Sequence, residues 1–154
     1  MTGRLLILAL VAVVLATARA FACKCAPAPP PAEMVATHPL VFVGRAISGR
    51  FLGDDITNGK PYGREFVFRV EEILKGRADG RRVTIFTGAG GGDCGFDFII
   101  GNQYLVYASE SAGQFFTGLC DFTKEYLPEG RSEAATIRSL PKGEPGGDRP
   151  SPPR

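Results

Sequence analysis

Hydrophobic and polar positions divide the chain into an apolar leader, a set of alternating segments and a polar end. Leu5 to Leu15 is an unbroken apolar run of eleven residues. Downstream the period falls to two. Arg64 to Leu74 sets Phe66, Phe68 and Val70 against Val67 and Arg69, the alternation of a strand with one buried face. Leu40 to Ser48 is strand-like, Arg82 to Thr87 puts Val83 and Ile85 on one face, Gln103 to Ser109 makes a fourth strand, and Gln114 to Leu119 makes a fifth that ends at Cys120. Residues 49–63 hold Gly, Asp, Asn and one Pro and read as a long hairpin loop, with Asp54-Asp55 as its solvated tip. Lys75-Gly76 ends the second strand, and Gly88 to Gly92 is almost pure glycine. Residues 26–32, rich in proline, are expected to run extended, outside any helix or sheet interior. Glu33 to Thr37 suits one helical turn. Ser132 is placed to cap a short helix from Glu133 to Leu140, with Ala134, Ile137 and Leu140 on one side.

Five strands in about 80 residues with glycine-rich joints predict an all-β domain with minor helix. An OB-type five-stranded barrel with a short C-terminal helix is the natural closure, because a closed barrel leaves no sheet edges. A small sandwich is the rival. Phe66, Phe68, Phe96, Phe98, Phe115 and Phe116 read as its core.

The leader changes the compartment. Arg4 precedes the apolar run, the run is shorter than the roughly 20 residues a membrane span needs, and Ala20-Phe21-Ala22 follows as a small-x-small cleavage pattern. Residues 1–22 therefore read as a cleavable signal peptide, 23–140 as one domain and 141–154 as a disordered Pro/Gly-rich tail. The expected location is secreted: extracellular or periplasmic. Removing 22 of the 154 residues takes away Arg4 and Arg19 and no acidic residue, so 18 basic against 16 acidic becomes 16 against 16. A neutral surface argues against nucleic-acid binding, which needs concentrated positive charge. The chain is expected to be a monomer with no cofactor or metal of its own. Nothing in it reads as an enzyme: it has one histidine, no Ser-His-Asp set and, once its cysteines pair, no thiol nucleophile.

All four cysteines, Cys23, Cys25, Cys94 and Cys120, fall after the leader. An even number in an oxidising compartment implies two disulfides. Structural zinc sites favour paired knuckles, whereas Cys94 and Cys120 stand alone. Cys23 and Cys25 point apart on an extended chain, which leaves two pairings, and either pins the N-terminal segment against two loops. That arrangement has a chemical use. A neutral α-amine is a nitrogen ligand, and with the neighbouring carbonyl oxygen it chelates a metal in a five-membered ring. The pKa of an α-amine, ~7.7–8, leaves a usable neutral fraction near pH 7. A catalytic zinc keeps one position open, which a rigid N-terminus fills.

The ordered set of motifs resembles the tissue inhibitors of metalloproteinases, in their N-terminal, netrin-like domain. The set comprises Cys23-Lys24-Cys25-Ala26-Pro27 after the leader, Thr37-His38-Pro39, Leu74-Lys75-Gly76, Asp93-Cys94-Gly95-Phe96, Phe98-Ile99-Ile100-Gly101 and Leu119-Cys120-Asp121-Phe122. The resemblance implies an OB-type barrel and the pairs Cys23–Cys94 and Cys25–Cys120. It implies that the Cys23 amine and carbonyl chelate the zinc of a target metalloprotease, that Lys24 enters its specificity pocket, and that Cys25, Ala26 and Pro27 lie along its cleft. Asp93 is implied as a contact from the loop tied to Cys23. Within these 154 residues the chain lacks the third disulfide and the second, cysteine-rich domain of the family's animal members, and Lys24 is long and charged where they favour a small residue. The rival reading is an exported netrin-like binding or structural module without inhibitory activity, in one form lipid-anchored at Cys23. His38 reads as a loop or packing residue rather than a ligand.

Overall fold

A computed structural model describes residues 23–53 and 62–141. The expected leader over residues 1–22, the Asp54-Asp55 tip and the tail from residue 142 onward lie outside the described residues. In chain order the elements are α1 (Pro31–Thr37), β1 (Leu40–Gly53), β2 (Gly63–Lys75), β3 (Arg82–Thr87), β4 (Gln103–Ser111), β5 (Gln114–Phe116), β6 (Lys124–Glu125) and α2 (Pro128–Ser139). Two single turns of 3-10 helix, Gly91–Asp93 and Leu119–Asp121, interrupt the connections.

The strands follow the order β1-β2-β3-β5-β4-β6, and β4 pairs with β1 as well, so five strands form a ring. All pairings in it are antiparallel except β3 with β5. The long β1–β2 pair changes register at four places, irregularities that add the coil such a ring needs.

β1 explains why its apolar run does not alternate: both of its faces are buried. Leu40, Phe42 and Ala46 point into the ring with Phe66, Phe68, Val83, Ile85, Phe98, Tyr104, Val106 and Ala108. Val41 and Val43 point outward and, with Leu105 and Tyr107 of β4, pack against Met34 of α1 and Ala134 and Ile137 of α2. Phe98 closes one end of the interior core, its ring 4.9 Å from those of both Phe68 and Tyr104. Tyr104 also binds this loop, its hydroxyl accepting the Ile99 N–H at 2.8 Å. Among the described residues no helix is long and apolar enough to cross a membrane.

Several expectations need correction. Both helices begin earlier than expected, α1 at Pro31 and α2 at Pro128, each with proline in its first turn. Proline is pre-set for that position and loses no hydrogen bond there, so residues 31 and 32 are helical rather than extended, and Ser132 lies inside α2 rather than capping it. β1 runs on to Gly53, through residues expected in a loop. The fifth strand stops at Phe116, because Gly118 turns the chain into a 3-10 turn. Phe116 is not core: it pairs with Phe86 at a ring distance of 5.6 Å outside the interior cluster, which Phe96 and Phe115 join only as partly buried members.

Candidate functional site

Residues 23–30 have no regular secondary structure, yet burial alternates along their start: Cys23 and Cys25 are half-buried, Lys24 and Ala26 exposed, and Pro27 is exposed beyond them. That is the pattern of an extended segment held by every second side chain. The anchors are disulfides. Cys23 joins Cys94 and Cys25 joins Cys120, with Cα–Cα separations of 5.5 and 5.2 Å. This is the pairing the resemblance implies. The bridges span sequence separations of 71 and 95 residues, and each removes enough chain freedom from the unfolded state to contribute about 4 kcal/mol in an entropic model.

The two loops that receive these bridges are built alike. Each has a glycine, a 3-10 turn ending in aspartate, and then a residue in the left-handed region. In the first, Asp93 accepts the N–H of Gly90 at 2.9 Å and Cys94 sits at φ 59°. In the second, Asp121 accepts the N–H of Gly118 at 2.6 Å and Phe122 sits at φ 57°. The carboxylate in each supplies the acceptor that the open turn lacks. The two loops then join: Gly95 and Gly118 form an isolated antiparallel bridge, and the Leu119 N–H donates to the Cys94 carbonyl at 2.8 Å.

Asp93, expected as a contact with a partner, is exposed and also organises its own loop. Its carboxylate also accepts the N–H groups of Ala89 at 2.6 Å and Gly95 at 3.1 Å, and the Tyr62 hydroxyl. Desolvation pushes its pKa up, but the bonds from Tyr62, Gly95, Gly90 and Ala89 outweigh it and hold the group below the usual carboxylate range. Gly88 and Gly95 leave room for this arrangement. A Cβ on Gly88 would lie 2.5 Å from the Asp93 carboxylate. Arg64 of β2 braces the same loop, donating to the Ala89 carbonyl and, at 2.6 Å, to Asp97.

An open groove of about 370 Å³ lies beside the disulfides, walled by Tyr62, Phe86, Phe116 and Thr117, with Cys94 and Cys120 among its lining. Among the described residues no cluster of three or more His, Cys, Asp or Glu side chains is arranged to hold a metal ion.

Two residues had no assigned part in the reading of the sequence as anchors of this region. His38, at the end of α1, is buried and bonds Asp121 of the second loop, 83 residues away. Lys75, at the end of β2, donates to the last carbonyls of α1, Val35 and Ala36. A lysine at a helix C-terminus is a recognisable cue, since the orphan carbonyls there attract cations. Gly76 beside it, at φ 84°, lies so close to the Pro39 carbonyl that a side chain would overlap it. The motifs Thr37-His38-Pro39 and Leu74-Lys75-Gly76 therefore meet in space.

Comparison with protein-family models and with curated proteins finds no match for this chain.

Proposed function

We propose that this chain is a secreted inhibitor of zinc metalloproteases, a netrin-like domain of OB-barrel type, acting through a mature N-terminus at Cys23. The observation that carries the reading is the double anchoring of residues 23–27. Cys23 and Cys25 are each held by a bridge to a loop, and those loops are bonded to each other, so the segment between them is presented extended with Lys24 and Ala26 outward. A segment ordered before binding loses little conformational entropy on entering a cleft.

In this reading the Cys23 amine and carbonyl oxygen occupy the open positions of the protease zinc, Lys24 fills the adjoining pocket, and Cys25, Ala26 and Pro27 follow the cleft. Asp93, exposed on the loop that carries Cys94, holds that loop in shape and contacts the protease from it. The five-strand ring closed by β1 and β4 and the two observed disulfides support the family reading. The paired cysteines suit an oxidising, extracytoplasmic location.

The test is inhibition of a panel of zinc metalloproteases by protein beginning at Cys23, beside protein with one alanine added ahead of it. The added residue converts the amine into an amide, which does not coordinate zinc. Inhibition by the first and not the second supports chelation. Failure of both turns the reading to its rival, an exported netrin-like binding module.

A further inference from the structure

The chain has a single histidine, and both of its ring nitrogens face acceptors. His38 is 9% exposed. Its Nδ1 lies 2.8 Å from the Met34 carbonyl oxygen, and its Nε2 lies 3.2 Å from the Asp121 carboxylate. A neutral imidazole carries one N–H, so it satisfies one acceptor and turns a lone pair toward the other. The imidazolium donates to both. The Thr37 hydroxyl, 3.2 Å from Nδ1, has the Glu33 and Met34 carbonyls as competing acceptors at 3.1 Å each.

The groups around the ring divide by sign. Asp121, from the Leu119–Asp121 turn, favours the charged form. Lys75, from β2, opposes it. Tyr107, from β4, stacks obliquely with ring centroids 5.4 Å apart and is neutral, because burial and the carboxylate of Glu133 push its hydroxyl far up. For His38 the hydrogen bond to Asp121 is the largest influence and raises its pKa above 6.5. Burial, the next largest, lowers it, the Met34 carbonyl raises it, and the net direction is up.

The position of this pair gives it a consequence. Cys25 is bonded to Cys120, and His38 is bonded to Asp121, the next residue. The segment 25–38, which carries the proline-rich stretch and α1, is therefore closed at both ends on two adjacent residues of one turn. One closure is covalent and the other is a charge-assisted hydrogen bond. We infer that His38 is a pH-responsive latch, whose imidazolium fastens the end of α1 to the disulfide-bearing turn and whose deprotonation leaves the Cys25–Cys120 bridge to tie the segment to that turn. A group whose pKa is raised on folding contributes stability that is complete below its unfolded pKa and is lost as pH rises through its folded value. The latch is thus shut in mild acid and opens above pH 6.5. This inference is independent of the protease reading, because its readouts do not involve inhibition.

The test uses the whole ¹⁵N-labelled chain, in which the single histidine is read without ambiguity by imidazole nitrogen NMR. At pH 6.5 both nitrogens of His38 are expected to be predominantly protonated, with a titration midpoint above 6.5. Asp121→Asn is expected to bring that midpoint to 6.5 or lower. The unfolding free energy of the wild type is expected to fall between pH 6 and 9 more steeply than that of His38→Gln. A neutral single tautomer at pH 6.5, or a midpoint at or below 6.5 in the wild type, overturns the latch without recourse to any variant. Coincident pH profiles for the wild type and a folded His38→Gln also overturn it.

Discussion

Gly95 and Gly118 face each other in an isolated antiparallel bridge, and by doing so they set the loops of Cys94 and Cys120 side by side. The N-terminal segment is anchored on both loops, so its geometry depends on how closely those two glycines approach. A Cβ on Gly95 would overlap the Gly88 carbonyl, with the Gly88 carbon at 2.6 Å and the Gly90 nitrogen at 2.9 Å. Those neighbours are backbone and do not yield as a side-chain tip does. Gly95→Ala is therefore expected to destabilise the fold by about 1–3 kcal/mol, as overpacking does. Gly92→Ala, where an added Cβ meets nothing within 4 Å, is the control and is expected to be near neutral. Denaturant unfolding of the two variants checks both values.

Asp93 ties the first loop together with hydrogen bonds, and its contribution follows its charge. Because folding lowers its pKa, the sign is opposite to that for His38: the stabilisation is present above the unfolded pKa of about 3.9 and is lost as pH falls through the folded value. Asp93→Asn keeps the shape but removes the charge and one acceptor. It is expected to cost about 1–3 kcal/mol at pH 7 and progressively less as pH falls below about 3.9 and the wild-type stabilisation is titrated away. Unfolding measured from pH 7 downward decides it; a loss that does not change with pH would assign the effect to packing.

The interior core rests on a cluster of edge-on aromatic contacts centred on Phe68. Its ring is fully buried and packs against those of Phe42 at 5.6 Å, Phe98 at 4.9 Å and Tyr104 at 6.2 Å. Phe68→Ala empties a site that several rigid rings surround, so little collapse can relieve it. The expected loss is about 3–5 kcal/mol. Phe116→Ala, which removes a partly exposed ring outside that cluster, is expected to cost distinctly less. Thermal unfolding of the pair orders them.

These contrasts also show how far the residues announced the structure. The period of two in Phe66, Phe68 and Val70 located β2, and Val83 and Ile85 located β3, because each strand buries one face in the ring. The end of β1 was hidden, since Gly49 and Gly53 read as turn residues while serving a coiled hairpin. Pro31 and Pro128 were readable helix starts, being prolines ahead of apolar residues at helical spacing. β6, only two residues long, carries no period at all. Asp93 was legible as a loop residue, but its acceptor role depends on Gly88 and Gly95 lying close enough to exclude a side chain. The pairing of His38 with Asp121 spans 83 residues and left no local trace.

Lys24 is exposed between two anchored cysteines, so its substitution separates recognition from folding. Lys24→Ala is expected to leave unfolding within about 0.5 kcal/mol of wild type. If Lys24 enters a protease pocket, an apolar pocket strips water from its ammonium at a cost of several kcal/mol, and the alanine variant avoids that cost. Inhibition of such proteases is expected to tighten tenfold or more, equivalent to at least about 1.4 kcal/mol. Proteases with an acidic pocket are expected to move the other way. Inhibition constants that stay unchanged across the panel would place Lys24 outside the pocket.

Chelation by the Cys23 amine carries its own pH signature. Only the neutral amine binds zinc, and an α-amine titrates at ~7.7–8. Below that value each fall of one pH unit reduces the neutral fraction about tenfold. Inhibition by protein beginning at Cys23 is therefore expected to strengthen about tenfold per unit as pH rises toward 7.5, and to level off above 8. Each protease's own activity profile is measured without inhibitor and divided out. Inhibition that is flat from pH 6 to 8 would remove the amine from the mechanism, even if the protein inhibits. A slope that persists after an alanine is added ahead of Cys23 would assign the titration to another group.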